Sequence, residues 1–259
     1  QRCGKHISIA EPVIDASLPD GSRVNLTFQQ EVTKRGSTFT IRKFKQKIIT
    51  PIDLIKLNSI SPEMLAYLWI LIERKASIIV AGEIASGKTT LLNAFSLFIP
   101  KNMKIVSIED TPEIRLPHEN WIPAVTRMRF FGEGKDISMY DLLKASLRQR
   151  PDYIIVGEIR GEEALTLFQA MATGHLSLAT IHSKSPSAVI ERLISPPMNV
   201  PKIMIPLLDC ICMQNLVKEG GSTIRRTQEI WEVLVKGGEV LLKDVFVWNR
   251  KEFEYRGSS

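Results

Sequence analysis

One eight-residue segment constrains the fold of this chain more than any other. It reads Gly82, Glu83, Ile84, Ala85, Ser86, Gly87, Lys88 and Thr89, and it matches G-x-x-x-x-G-K-[ST] at every defined position. An apolar run, residues 77–81, leads directly into it, and a helix-forming segment follows. Glycines let backbone N–H groups curl around phosphates, and the following helix offers its positive N-terminal end. The sequence therefore predicts a phosphate-binding loop between a buried strand and a helix.

Two side chains of this segment carry specific chemistry. Lys88 is expected to reach the β and γ phosphates of a nucleotide, and the Thr89 hydroxyl is expected to bind Mg²⁺. We include the next residue, Thr90, in the predicted nucleotide-binding segment. The cofactors predicted from the loop are ATP and Mg²⁺.

Acidic residues follow two further apolar runs. Residues 153–156 lead to Glu158, and residues 104–108 lead to Glu109 and Asp110. Ligands of open α/β sheets bind at the carboxyl ends of the strands. We therefore predict that Glu158 holds Mg²⁺ or positions the attacking water, and that Glu109 orients water toward the γ-phosphate. Taken alone, acids at strand ends are common, and Glu109 and Asp110 could merely cap the next segment.

Two histidines flank a fourth apolar run, residues 177–181. His175 precedes it and His182 follows it. A histidine at a strand end can hydrogen-bond a phosphate or respond to its loss, although a lone histidine is usually structural.

The alternation of strands and helices predicts an α/β fold with a parallel sheet covered on both faces. Helices are predicted near residues 88–98, 138–149, 161–173 and 186–194. We divide the chain as follows: the end of a β-rich N-terminal domain at 1–48, a linker at 49–60, a RecA-like ATPase core at 61–217, a β-rich extension at 218–255 and a possible artificial tail at 256–259. A helix of the core is predicted to begin at Ser61, with Pro62 in its first turn.

Composition limits the alternatives. No apolar run approaches the ~20 residues that a membrane helix needs, and no secretory signal precedes the first strand, so we expect a cytoplasmic location, peripheral to the membrane. The net charge of +6 is spread along the chain without basic runs, and a nucleic-acid partner is not expected from it. Cys210 and Cys212 lie in an apolar segment without the spacing of a zinc site, which predicts buried thiols.

As a set, these motifs resemble those of a known family. The phosphate loop, residues 108–113 (IEDTPE), residues 156–160 (VGEIR) and the two histidine segments are similar, in this order, to the Walker A, Asp box, Walker B and His box motifs of type II and type IV secretion ATPases. Residues 18–27, 35–44, 64–69 and 147–151 resemble the archaeal branch, which includes the archaellum motor and the archaeal pilus and secretion ATPases. The resemblance covers residues 4–253.

The resemblance implies roles that spacing could not give. Arg23 and Arg42 match arginines that reach the nucleotide when the two domains of these proteins close, with Arg35 a weaker candidate. Glu109 matches the general base, Glu158 the residue on the magnesium side, and His175 and His182 the His-box pair. It further implies a homo-hexamer that drives a polytopic membrane platform protein to export or assemble pilin-like subunits.

Departures from the family pattern and rival functions stay open at this point. The family's loop commonly begins with two glycines and a threonine, whereas this chain has Glu83 and Ile84 after Gly82, so Glu83 must point outward to be tolerated near a triphosphate. A RecA-like nucleic-acid motor or DNA-transfer ATPase is the main alternative, although pore-facing aromatics or lysine clusters are not evident. A nucleotide-binding scaffold without turnover is a third possibility, which Lys88, Glu109 and Glu158 disfavour.

Overall fold

The computed structural model describes residues 6–43, 48–127 and 135–259, which fall into two compact units. The smaller unit comprises the described residues up to Ile48 together with Thr111–Glu113. Its elements are β1 (Val13–Ser17), β2 (Arg23–Thr27), the short helix α1 (Gln29–Val32) and β3 (Thr38–Arg42). The strands form an antiparallel sheet in the order β1-β2-β3, as the alternating sequence predicts. Phe44, the last residue of the predicted third strand, lies outside the described residues.

The larger unit comprises Ile49–Asp110 and Ile114–Ser259. Its strands are β4 (Ile78–Gly82), β5 (Ile105–Glu109), β6 (Trp121–Val125), β7 (Tyr153–Ile159), β8 (Leu176–His182), β9 (Cys210–Glu219), β10 (Ser222–Lys236), β11 (Glu239–Trp248) and β12 (Phe253–Tyr255). Its helices are α2 (Pro51–Lys56), α3 (Pro62–Glu73), α4 (Lys88–Ser96), α5 (Met139–Leu147), α6 (Glu163–Ala172) and α7 (Pro186–Ile194), with a 3-10 turn at Lys202–Leu207.

The strands of the larger unit form one mixed sheet in the order β12-β11-β10-β9-β4-β8-β7-β5-β6. Pairing is parallel from β9 to β6 and antiparallel from β9 to β12. The carboxyl ends of β4, β5, β7 and β8 therefore meet at a single edge of the sheet, and the loop that follows β4 lies there.

The sheet is covered on both faces, as predicted for a largely parallel sheet. Alternate residues of β4 face opposite sides, so Ile78 packs with the core beneath α3 and α4, and Ile79 packs with the core beneath α5, α6 and α7. The smaller unit buries far less, with Ile14, Ala16 and Val24 as its core.

The structure adds detail to the two regions that flank the predicted core. The segment predicted as a linker contains α2 and groups with the larger unit. Thr50 caps this helix, its side chain accepting from Asp53 N at 3.2 Å, and Pro51 occupies the first turn. After β9, the strands β10, β11 and β12 continue the same sheet. The predicted start of α3 is confirmed, with Ser61 as its N-cap.

Cys210 and Cys212 are buried within β9, as predicted. In the part of the chain that the structure describes, we find no helix with the length and apolar character needed to span a bilayer.

Candidate active site

The segment between β4 and α4 forms the predicted loop. Gly87 is the N-cap residue of α4 and has a φ of 94°, and Ala85 has a φ of 61°. Left-handed residues in such a turn aim neighbouring backbone N–H groups into one concavity, which suits an anion. The N-terminus of α4 contributes the positive end of its dipole to the same place.

Lys88 lies across this loop. Its Nζ donates to the carbonyl oxygens of Gly82 at 3.1 Å and Glu83 at 2.9 Å. Burial lowers the pKa of Lys88, and the nearby Glu158 carboxylate acts in the opposite direction. The lysine of the loop and the acid of β7 are therefore close enough to interact electrostatically.

Ser86 supports the fit of a polyphosphate to this loop. The residue is fully buried, and its Oγ has no hydrogen-bond partner among the described residues. Buried hydroxyl groups in proteins nearly always have a partner, so this one has capacity for a further acceptor or donor. A buried hydroxyl without a partner among the described residues, a lysine and a helix N-terminus together provide the groups that a nucleoside triphosphate needs. Thr89 and Thr90, at the start of α4, are half-buried beside them.

The two residues that depart from the family pattern face away from the loop interior. The side chain of Glu83 is 54% exposed and lies 3.8 Å from Lys184 Nζ. Ile84 is 77% exposed. The carboxylate at position 83 thus meets the condition set for it by the sequence, because it points outward.

Glu109 ends β5 beside the strand that carries Glu158. A Cβ built on Gly157 would lie 3.0 Å from Glu109 Cγ, so these two strand ends are in contact. Glu109 is 3% exposed, and its Oε1 accepts from Ile114 N at 3.0 Å, which fixes the orientation of the carboxylate. The structure therefore brings both predicted acids to the edge that holds the loop.

An irregularity in β7 positions Glu158. Register between β7 and β8 shifts between Val156 and Ile159, so Gly157 and Glu158 occupy a bulge. Thr180 Oγ1 donates to the Gly157 carbonyl at 2.5 Å across this bulge. Bulges commonly re-aim a side chain next to a functional site. The sequence gives no clear signal for this feature.

Asp110 has a different environment from Glu109. It is exposed, accepts a hydrogen bond from Thr126 Oγ1 at 2.9 Å and forms an ion pair with Arg160. Its charge is therefore engaged with neighbouring surface groups, whereas Glu109 is buried at the end of β5.

The structure separates the two histidines. His182 ends β8 and lies in register with Gly82, the first residue of the loop. His175 precedes β8, and seven strand residues at about 3.3 Å each place it about 23 Å away at the opposite edge of the sheet. There its Nδ1 lies 3.1 Å from Thr173 Oγ1, beside a shallow pocket that also includes Lys75 and Arg150. Only His182 is brought to the loop of its own chain.

The candidate arginines belong to the smaller unit. Arg23 Nη1 donates to Thr111 Oγ1 at 3.0 Å, and Arg42 Nη2 lies 2.7 Å from Glu113 Oε1. Both side chains remain substantially exposed, at 45% and 71%. Arg35, the weaker candidate, is exposed.

Residues of β9 and β10 form a wall beside the loop, through Gln214 and Arg225, and the sequence patterns did not predict this contact. A Cβ on Gly82 would lie 1.9 Å from the Gln214 carbonyl oxygen, and Arg225 Nε donates to the Ala85 carbonyl at 2.9 Å. Neither residue is part of a recognisable motif, and their partners lie more than 100 residues earlier in the chain, so no local pattern could have found them.

Comparisons with known proteins identify relatives of this chain. A protein from Methanocaldococcus jannaschii, uncharacterized protein MJ1287, is 64% identical over 214 residues, which are 81% of this chain and 79% of the relative. Type IV secretion system protein PtlH of Bordetella pertussis is 31% identical over 261 residues, covering 88% of this chain and 77% of that protein. Two further relatives from M. jannaschii are longer, and the chain spans 45% and 23% of their lengths.

A solved structure shares the fold. The VirB11 ATPase from the Brucella suis type IV secretion system, in complex with sulphate, superposes with a TM-score of 0.56 at 27% identity, covering 88% of this chain and 78% of that chain. The α/β fold with a mostly parallel sheet is thus of the RecA-like kind predicted. The type II/IV secretion system protein family matches residues 5–250, nearly the full length that carries the loop, the two acids and the wall beside them. This chain therefore belongs to the type II/IV secretion system protein family.

Proposed function

We propose that this chain binds MgATP and hydrolyses it, as the motor subunit of a secretion or pilus machine. One observation carries the proposal: a phosphate loop with Lys88 lies at the same sheet edge as two acids on neighbouring strands, Glu109 and Glu158. A binding scaffold without turnover has no need of the second acid.

We assign a role to each residue of the site from its surroundings. Lys88 and the loop amides bind the phosphates, and Ser86 offers a further hydroxyl. Mg²⁺, when bound, neutralises charge on the β and γ phosphates, and Thr89 and Glu158 are the residues that would hold it. Glu109, buried and fixed by Ile114 N, orients water and accepts its proton. His182 is placed to interact with a phosphate.

The smaller unit is assigned a role in turnover on the strength of family likeness. We propose Arg23 and Arg42 as arginine fingers, which stabilise charge on the γ-phosphate through a planar guanidinium. His175 is given no role toward the loop of its own chain, because it lies at the other edge of the sheet.

The decisive experiment compares Lys88→Ala, Glu109→Gln and Glu158→Gln for binding of a fluorescent ATP analogue and for phosphate release. Lys88→Ala should lose binding, since no other loop side chain carries the positive charge. Glu109→Gln should bind normally but hydrolyse at least ~100-fold more slowly, because an amide cannot accept the proton. Glu158→Gln should raise the magnesium requirement. Wild-type turnover by Lys88→Ala refutes the proposal. If Glu109→Gln hydrolyses ATP normally and Glu158→Gln does not hydrolyse it, Glu158 accepts the proton and Glu109 has the other role.

The cellular role follows the family. We propose a homo-hexamer in the cytoplasm that docks on a polytopic membrane protein and drives export or assembly of pilin-like subunits. Light scattering of the purified protein with ATP tests the hexamer. Phosphate release measured with single-stranded DNA and with anionic vesicles separates this role from that of a nucleic-acid motor, which only the DNA should stimulate.

A further inference from the structure

The β9–β10 hairpin contacts the phosphate loop from the side, through one side chain. Arg225 Nε donates to the Ala85 carbonyl oxygen at 2.9 Å. The aliphatic part of the same side chain packs on Gly87, since a Cβ added there would lie 3.1 Å from Arg225 Cδ. Arg225 thus touches both left-handed residues of the loop, Ala85 and Gly87.

The bond to Ala85 fixes the direction of one peptide unit. In a trans peptide the carbonyl and the next N–H point in opposite directions. Holding the Ala85 oxygen toward the hairpin therefore turns the Ser86 N–H the other way, where it donates to the Glu83 carbonyl oxygen at 3.3 Å and closes the turn of the loop. Ala85 has a φ of 61°, which is uncommon for a residue with a Cβ, and needs support from its surroundings.

The hairpin is itself firmly held, so it can act as a fixed support. Behind Arg225, Thr227 Oγ1 donates to Gln214 Oε1 at 2.7 Å, and Thr227 N donates to the Ser59 carbonyl at 2.7 Å. The neighbouring Arg226 is fully buried and donates to the Asn58 carbonyl at 3.1 Å. Its guanidinium carbon Cζ lies over the Trp248 ring, 3.9 Å from the ring centroid.

We propose that Arg225 is a positioning residue, whose Nε holds the Ala85–Ser86 peptide and so keeps the turn of the loop in the shape that receives phosphate. The inference rests on the proposed function, because it concerns how the loop is prepared for a nucleotide. It assigns the effect to a hydrogen bond at Nε and not to the positive charge of the guanidinium.

Three substitutions separate the hydrogen bond from charge and from packing. Arg225→Gln places an amide nitrogen at the same number of bonds from Cα as Nε and has no charge. Arg225→Met keeps a chain of similar length without a donor, and Arg225→Ala removes both. Lys218→Ala, an exposed position on the same hairpin, is the matched control.

The measurements are the dissociation constant of a fluorescent MgADP analogue and hydrogen exchange of the loop amides in nucleotide-free protein. Arg225→Met and Arg225→Ala should weaken binding about five- to tenfold, the range that one net hydrogen bond supports, and should speed exchange at Ser86. Arg225→Gln should bring the dissociation constant and the exchange rate at Ser86 to within about threefold of their wild-type values.

If Arg225→Gln binds the nucleotide as weakly as Arg225→Met, the charge or shape of Arg225 is responsible for the loss of affinity and the inference is wrong. It is equally wrong if Arg225→Met leaves loop exchange and affinity unchanged. Failure of the wild-type protein to bind the nucleotide refutes the proposed function instead, and the exchange data, recorded without nucleotide, still decide the role of Arg225.

Discussion

The close approach of β4 to β9 makes a single methyl group a sensitive probe of the loop. A Cβ on Gly82 would lie 1.9 Å from the Gln214 backbone oxygen and 2.7 Å from Ser86 Oγ. The serine can rotate away, but the carbonyl belongs to a strand that is hydrogen-bonded on both sides. Gly82→Ala must therefore push β4 and β9 apart, and overpacking that cannot be relieved by side chains costs about 3 kcal/mol or more.

For a unit of this size, about 3 kcal/mol corresponds to a fall in Tm of about 6–12 °C. The assay is thermal unfolding followed by circular dichroism at low protein concentration. Gly174→Ala is the matched control: it has a φ of 90° and nothing within 4 Å of an added Cβ. It should cost only the backbone strain of a left-handed alanine, about 1 kcal/mol, or about 2–4 °C. A Gly82→Ala protein that melts no lower than Gly174→Ala would show that Gly82 does not abut β9.

Two further predictions concern other parts of the chain. Arg23→Ala and Arg42→Ala should each bind ATP but hydrolyse it at least ~10-fold more slowly, and lysine at either position should restore little of the rate. The control Lys34→Ala should hydrolyse ATP at the wild-type rate. Normal phosphate release by both alanine variants would remove the arginines from the mechanism. Tyr153 donates to the Ile72 carbonyl at 2.8 Å, and burial raises the pKa of Tyr153 from 10.0 to about 12. Because Tyr153→Phe removes this hydrogen bond, it should lower the free energy of unfolding by about 1 kcal/mol at neutral pH. Because the folded state favours the neutral phenol, this difference should shrink as pH rises from about 10 to 12 in denaturant titrations, and a constant difference would contradict the assignment.

The parallel part of the fold was predictable because its signals are local. Four strands with near-continuous apolar runs and the four helices that alternate with them appear within a few residues of their predicted limits. β6 was missed, since its residues Trp121–Val125 include a proline and are only half-buried at the edge of the sheet. Helix α2 was missed although Thr50, Pro51 and Asp53 form a readable start signal, because the apolar periodicity after them lasts for only six residues.

For the candidate site, sequence patterns identified the residues but not all of their surroundings. The loop, Glu109, Glu158 and His182 converge because parallel strands end at one edge. The same rule sets His175 apart, since a residue before a strand lies at the other edge. The bulge at Gly157 depends on pairing with β8, which no pattern within β7 reveals.

The unusual loop sequence can be understood from the constraints at each position. Close approach to β9 demands glycine at 82, and the left-handed turn into α4 favours glycine at 87. Positions 83 and 84 have neither constraint, because their side chains are exposed, so a glutamate and an isoleucine fit without strain. Position 85 needs a left-handed residue yet carries alanine, which makes it the one point where the loop depends on outside support. The Arg225 bond falls at that point, so the hairpin supports the left-handed loop residue that carries a Cβ.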